Sequence, residues 1–279
     1  GLWYALTGNT SLKRFFTRRY LRIYPTWLLV ASLYYVPRFL QGAKGTKEII
    51  DLAGDVLVNW DFWLHDELTF WYIPATMMLY LVTPAYLSLI IKHPTYRWIP
   101  AIMIAWCVAV KYVVPINETE GHIEIFWSRV PIYLIGLNFG AAVKEKRTLE
   151  ANSIWLILLT FVGMLATCIY LEQVRHGRFP LFLERMLYIP LTITGIILLC
   201  IVLEKASNKY LHKALIFVGG ISLELYLLHN HFILIYIERL GWHYWAKFFA
   251  TLVIALPLAW LLHIGVEKIT TKIERNQER

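Results

Sequence analysis

The chain has 279 residues, 58% hydrophobic and only 16% charged, with a mean hydropathy of +0.52 and a formal net charge of +8. Soluble domains carry about 45–50% apolar and about 25% charged residues, so this balance excludes a water-solvated globule and equally a disordered chain. Three cysteines, Cys107, Cys168 and Cys200, all inside apolar runs, exclude a disulfide scaffold, and basic residues spread through the loops argue for membrane orientation rather than a nucleic-acid partner.

The chain opens Gly1-Leu2-Trp3-Tyr4-Ala5-Leu6, an apolar piece too short to span a bilayer and without an initiator Met. It fits the tail of a helix that begins upstream, or a short amphipathic start. Next comes Lys13-Arg14-Phe15-Phe16-Thr17-Arg18-Arg19-Tyr20-Leu21-Arg22-Ile23-Tyr24-Pro25. Thr10 or Ser11 can cap a helix here. On that helix Arg14, Arg18 and Arg22 recur every four residues and Arg19 stands three before Arg22, so they share a face. Guanidinium forks bind phosphate in a bidentate way. The cluster reads as an anion site for a cytosolic ligand with several phosphates, such as CoA or a nucleotide. A plain positive-inside anchor is the alternative.

Apolar runs follow at 23–40, 71–91, 97–115, 127–143, 153–171, 186–203, 215–236 and 246–266. A helical span takes about 20 residues, so these runs predict an all-α polytopic bundle of about eight spans in one domain over 1–279. Trp and Tyr crowd the run ends, as an interfacial belt does. The stretch 41–70 is acidic at Glu48, Asp51, Asp55, Asp61, Asp66 and Glu67, with Ile49, Ile50, Leu52, Val56 and Leu57 at near-helical spacing. It predicts an extracytoplasmic loop with an amphipathic helix on the outer leaflet. Eight spans put both ends on one side. That side collects 17 of the 27 Lys/Arg, while 12 of the 19 Asp/Glu fall opposite. Positive charge stays cytoplasmic, so both ends are read as cytosolic.

Phe70-Trp71-Tyr72-Ile73-Pro74 leads into the second run, and Phe126-Trp127-Ser128-Arg129-Val130-Pro131 into the fourth. Arg129 there is a snorkelling interfacial residue, or a contact to an acceptor or to a carboxylate. The seventh run contains Gly219-Gly220-Ile221-Ser222-Leu223-Glu224-Leu225-Tyr226-Leu227-Leu228-His229-Asn230-His231. Ser222, Tyr226 and His229 share one helix face, with Glu224 and His231 roughly opposite. A carboxylate within a span is costly unless paired or hydrated, so Glu224 either functions or pairs, with Arg129 as one candidate partner. His229 and His231 point different ways, and no metal-ligand spacing occurs, so no metal is expected. No Walker A loop, dinucleotide fingerprint or GxSxG elbow is present.

Taken in order, these segments resemble the membrane acyltransferase 3 family, integral-membrane O-acyltransferases that modify glycans and related acceptors. The resemblance covers nearly the whole chain. Arg19-Tyr20-Leu21-Arg22-Ile23-Tyr24-Pro25 matches that family's Arg-x-x-Arg-Ile-x-Pro element. Trp71-Tyr72-Ile73 stands for its Trp-Phe-Ile/Leu element, with Tyr for Phe. Arg129, Pro131 and Gly136 match Arg-x-Pro-x-x-x-x-Gly, and Gly219, Ser222, Tyr226 and His229 match Gly-x-x-Ser-x-x-x-Tyr-x-x-His.

Family members carry further N-terminal spans, the first with a histidine taken as the catalytic base, and Gly1-Leu2 resembles the end of the second. The resemblance thus implies an N-terminally truncated chain, with the catalytic histidine upstream of Gly1 and its role assigned to no other histidine. It implies transfer of an acyl group, most often acetyl, from cytosolic acyl-CoA to a hydroxyl of a cell-surface or periplasmic glycan or glycolipid. Acyl-CoA is then a cosubstrate, not a bound cofactor. Arg18, Arg19 and Arg22 would hold its phosphates, and Trp71, Arg129, Ser222, Glu224, Tyr226 and His229 would support the chemistry or the acceptor. The implied location is a bacterial inner membrane. Two competing readings remain: a transporter or flippase relaying protons through Glu224 and His229, and a membrane-embedded binding subunit. Against the transporter, no paired inverted halves are visible.

Overall fold

A computed structural model describes residues 11–42, 46–65, 67–145, 149–173, 181–206 and 208–277. The readings made at Gly1–Leu6, Thr10 and Asp66, and the charges of Lys146, Arg147 and Arg279, lie outside these residues. Every regular element among the described residues is helical.

Helix α1 covers Leu12–Gln41 and carries the arginine cluster on its first turns. The stretch that follows forms α2, Thr46–Val58, and α3, Trp60–Leu64. Ile49, Ile50 and Leu57 of α2 stay exposed, as suits a helix lying in a bilayer interface. The chain continues with α4 (Tyr72–Lys92), α5 (Ile99–Tyr112), α6 (Val114–Glu120), α7 (Glu124–Trp127) and α8 (Val130–Lys144). Then come α9 (Ala151–Gln173), α10 (Leu181–Lys205) and α11 (Lys209–Gly220). Short α12 (Ser222–Leu228), a π turn (His229–Leu234) and α13 (Ile235–Glu238) precede the long α14 (Tyr244–Gln277).

Among the described residues four helices are long and apolar enough to cross a membrane, and two bent pairs bring the number to six when each counts as one span. All eight apolar runs fall on helices, but not all make straight spans. The run at 23–40 lies on α1, where Tyr, Trp, Pro and Arg38 dilute it. The run at 127–143 lies mainly on α8, whose 15 residues reach about 22 Å against a hydrocarbon core of about 30 Å. Only 6% and 11% of the most apolar windows of the spans Ala151–Gln173 and Phe182–Lys205 are buried. Side chains that apolar, left outside the protein interior, need lipid around them.

Both bends have local causes. Val113 is extended (φ −92°, ψ 107°) between α5 and α6, which turn by 95°. Pro115 follows two residues later; it lacks an amide proton and its ring crowds the carbonyl four residues back. Helices α11 and α12 diverge by 56° around Ile221, directly after Gly219-Gly220, the weakest common helix formers short of proline. The Ser222 hydroxyl donates to the Gly219 carbonyl at 2.9 Å, capping a group that the break would leave unpaired.

The chain forms two compact units. In the unit built on Met78–Ser207, α9 and α10 pair along their length, and α5 packs against α8. Glu124 accepts from Arg185 at 2.8 Å and from Lys111 at 3.5 Å, and Asn138 joins Tyr86 to the Arg97 carbonyl.

The other unit comprises Lys13–Met77 and Asn208–Arg279. Here α12, the π turn and α13 lie along α14, with Ile233, Ile237 and Ala255 at their common core. Aromatic edges hold α1 to this group: Phe70 meets Trp27 and Tyr34 at ring separations of 5.6 and 5.1 Å, and Tyr34 meets His231 at 5.3 Å. Fully buried Asn59 takes the left-handed conformation (φ 57°) that asparagine tolerates. Its amide donates to the Thr69 carbonyl at 2.9 Å and its oxygen accepts from the Tyr35 hydroxyl at 3.1 Å, which ties the α2–α3 turn to α1.

Candidate functional site

Helix α12 and the π turn that follows it divide their polar residues between two cavities of their own unit, as the helical period predicts. Glu224 lines one, and Ser222, Tyr226 and His229 line the other.

The first cavity has a volume of about 170 Å³. Arg18 and Arg22, one turn apart on α1, stand at it with exposed side chains, and neither makes a hydrogen bond or ion pair among the described residues. Leu21, Leu223 and Val266 supply apolar wall. Gly220 also lines it, and a Cβ built there meets nothing within 4 Å, so packing does not demand the glycine. Glu224 is 3% exposed. Its Oε1 lies 3.1 Å from His263 Nδ1, while its Oε2 is buried without a hydrogen-bond partner among the described residues. Burying an acceptor unpaired costs about 1–3 kcal/mol, and more for a charged group.

The partner that the structure gives Glu224 is His263, brought to the carboxylate by the paired helices α12 and α14, rather than the suggested Arg129. Arg129 stands at the start of α8, within electrostatic range of Arg185. Arg19 also departs from the expected shared face. Its guanidinium sits 5.9 Å from the Phe15 ring centroid, and it does not line the cavity with Arg18 and Arg22.

The second cavity is larger, about 420 Å³, and mostly apolar. Tyr226 accepts from the Tyr72 backbone N–H at 3.4 Å, and the two rings meet at 5.3 Å. His229 Nδ1 lies 3.0 and 2.9 Å from the carbonyls of Leu225 and Tyr226. Carbonyls only accept, so Nδ1 carries a proton and donates to them. His229 also opens the π turn, a local widening of the helix that recurs at functional sites. Glu238 and Lys247 also line this cavity.

Trp71 is half-buried, edge-on to Tyr72, and lines neither cavity. His231 packs against Tyr34 and Phe70. Among the described residues no group of three or more His, Cys, Asp or Glu is arranged to hold a metal. Sequence reasoning passed over His263, although an ionisable residue inside the last apolar run was a signal in plain view. It also passed over Tyr72 as the partner of Tyr226.

A family model described as an acyltransferase domain matches residues 1–264. No curated protein and no solved structure matches the chain.

Proposed function

Since the chain belongs to the acyltransferase 3 family, we propose that it transfers an acyl group, most often acetyl, from cytosolic acyl-CoA to a hydroxyl of a periplasmic or cell-surface glycan or glycolipid. The observation that carries the reading is the pair of exposed arginines, Arg18 and Arg22, unpaired among the described residues, at a cavity beside α12, whose other face opens on Ser222, Tyr226 and His229. Arg18 and Arg22 are the phosphate end of the donor site, and Arg19 adds to the local positive field. The second cavity takes the acceptor. Trp71 and Arg129 are further acceptor-side candidates.

In the reaction the acceptor oxygen bonds to the thioester carbonyl carbon, the carbon–sulfur bond breaks, and the hydroxyl proton passes through a base to the departing thiolate. His229 and Tyr226 orient the acceptor. In this reading eight apolar segments place both ends in the cytosol, α2 lies on the outer leaflet, and the membrane is a bacterial inner membrane. The charge bias and the arginine-rich start of α1 support that orientation.

Replacing Arg18 and Arg22 by Gln tests the donor site. Exposed charge-assisted contacts are worth about 1 kcal/mol each, so the double variant should bind acyl-CoA roughly thirtyfold more weakly. Unchanged affinity in a normally inserted protein removes the arginines from the site.

A further inference from the structure

The first cavity asks more of its ligand than negative charge. Two guanidinium groups and the exposed Glu267 carboxylate line it, together with buried Glu224, one oxygen of which is unused. A phosphate suits the guanidinium groups and is repelled by both Glu224 and Glu267. A ligand that suits guanidinium and carboxylate alike carries an anionic group at one end and a hydrogen-bond donor at the other. The apolar walls Leu21, Leu223 and Val266 suit a flat ring better than a hydroxyl-studded sugar, and Gly220 leaves its side open.

The geometry points to a purine-reading function for this cavity: Glu224, positioned by His263, accepts a hydrogen bond from the exocyclic amine of an adenine whose phosphates lie on Arg18 and Arg22. His263 is a positioning residue here, because its Nδ1 holds Oε1 and thereby leaves Oε2 for the ligand. The bound amine removes the cost of the unpaired oxygen. A base with a carbonyl in place of that amine sets one acceptor against another. The assignment rests on the reading of Arg18 and Arg22 as the phosphate end of the donor site.

The test is equilibrium binding of adenosine 3′,5′-bisphosphate and inosine 3′,5′-bisphosphate to the intact natural protein in lipid nanodiscs. The two probes share their phosphates and ribose and differ in the amine. The adenosine compound should bind about ten- to hundredfold more tightly, the range of one hydrogen bond to a charged group. Glu224→Gln, whose amide both donates and accepts, should erase the preference while both probes still bind. Equal affinities in the natural protein overturn the purine assignment and leave the phosphate site standing, and so does a preference that survives in Glu224→Gln. Binding of neither probe overturns the phosphate reading, and the purine assignment with it. Gly220→Ala, which has room to fold, should weaken both probes; unchanged affinity there takes Gly220 out of the cavity wall.

Discussion

The Glu224–His263 pair makes a sharp prediction about stability. Truncating His263 to Ala leaves the whole Glu224 carboxylate, 3% exposed, without a donor. Removing one partner of a fully buried ion pair costs about 3–5 kcal/mol. The His263 side chain is 36% exposed, so water can take over part of the hydrogen bond it makes and the expected loss falls to about 2 kcal/mol. For a chain of this size that corresponds to a fall in Tm of about 4–8 °C. His263→Asn keeps a donor and should recover most of it. Glu224→Gln combined with His263→Ala should cost less than the sum of the single changes by about 1 kcal/mol, because no charge is then buried. Thermal unfolding of the purified variants in one detergent reads all four values. A His263→Ala protein that melts with the natural one, or strict additivity in the cycle, would refute the argument that the pair is held by the need to partner a buried carboxylate.

Three further outcomes are expected. Burial and the nearby Asp61 charge push the Asp55 carboxyl up to about 6. The folded chain therefore holds more protons than the unfolded chain between about pH 4 and pH 6. This contribution is full below about pH 4 and lost as pH rises through 6. Asp55→Asn should flatten that part of the pH–Tm profile, and a natural profile already flat there contradicts the assignment. Cysteines introduced as Lys268→Cys and Glu67→Cys in a Cys200→Ser background should label from opposite faces of sealed vesicles; labelling from one face overturns the topology. Tyr226→Phe should cost under about 1 kcal/mol of stability, since its bond to the Tyr72 amide is 3.4 Å long. It should also raise the acceptor KM several-fold, and an unchanged KM takes Tyr226 out of the acceptor site.

Features set by local periodicity were legible in the chain. The four-residue repeat of Arg18 and Arg22 placed both at one cavity, and the spacing of Ser222, Tyr226 and His229 against Glu224 anticipated the two faces of α12. The amphipathic segment within 41–70 is helical at α2. What depends on tertiary packing was not legible. His263 is 39 residues from Glu224, and only the pairing of α12 with α14 makes them partners. Arg19 is a different case: it follows Arg18 directly and so lies about 100° round the helix, on the face of Phe15 four residues before it rather than on the face of Arg18 and Arg22. The number of straight spans was hidden as well. An apolar run reads the same whether or not it bends, and the bends at Val113 and Ile221 sit beside Pro115 and the Gly219-Gly220 pair.

The central claim is that this chain's protein takes an acyl group from acyl-CoA and leaves it on a glycan. Sealed membrane vesicles containing the intact natural protein, supplied with radiolabelled acetyl-CoA on the cytosolic face and a glycan acceptor on the other, measure this directly. Label should accumulate in the glycan, and the Arg18→Gln/Arg22→Gln protein should transfer much less at limiting acetyl-CoA. Movement of a substrate across the vesicle wall with no label in the glycan would contradict the claim and favour a transporter using Glu224 and His229.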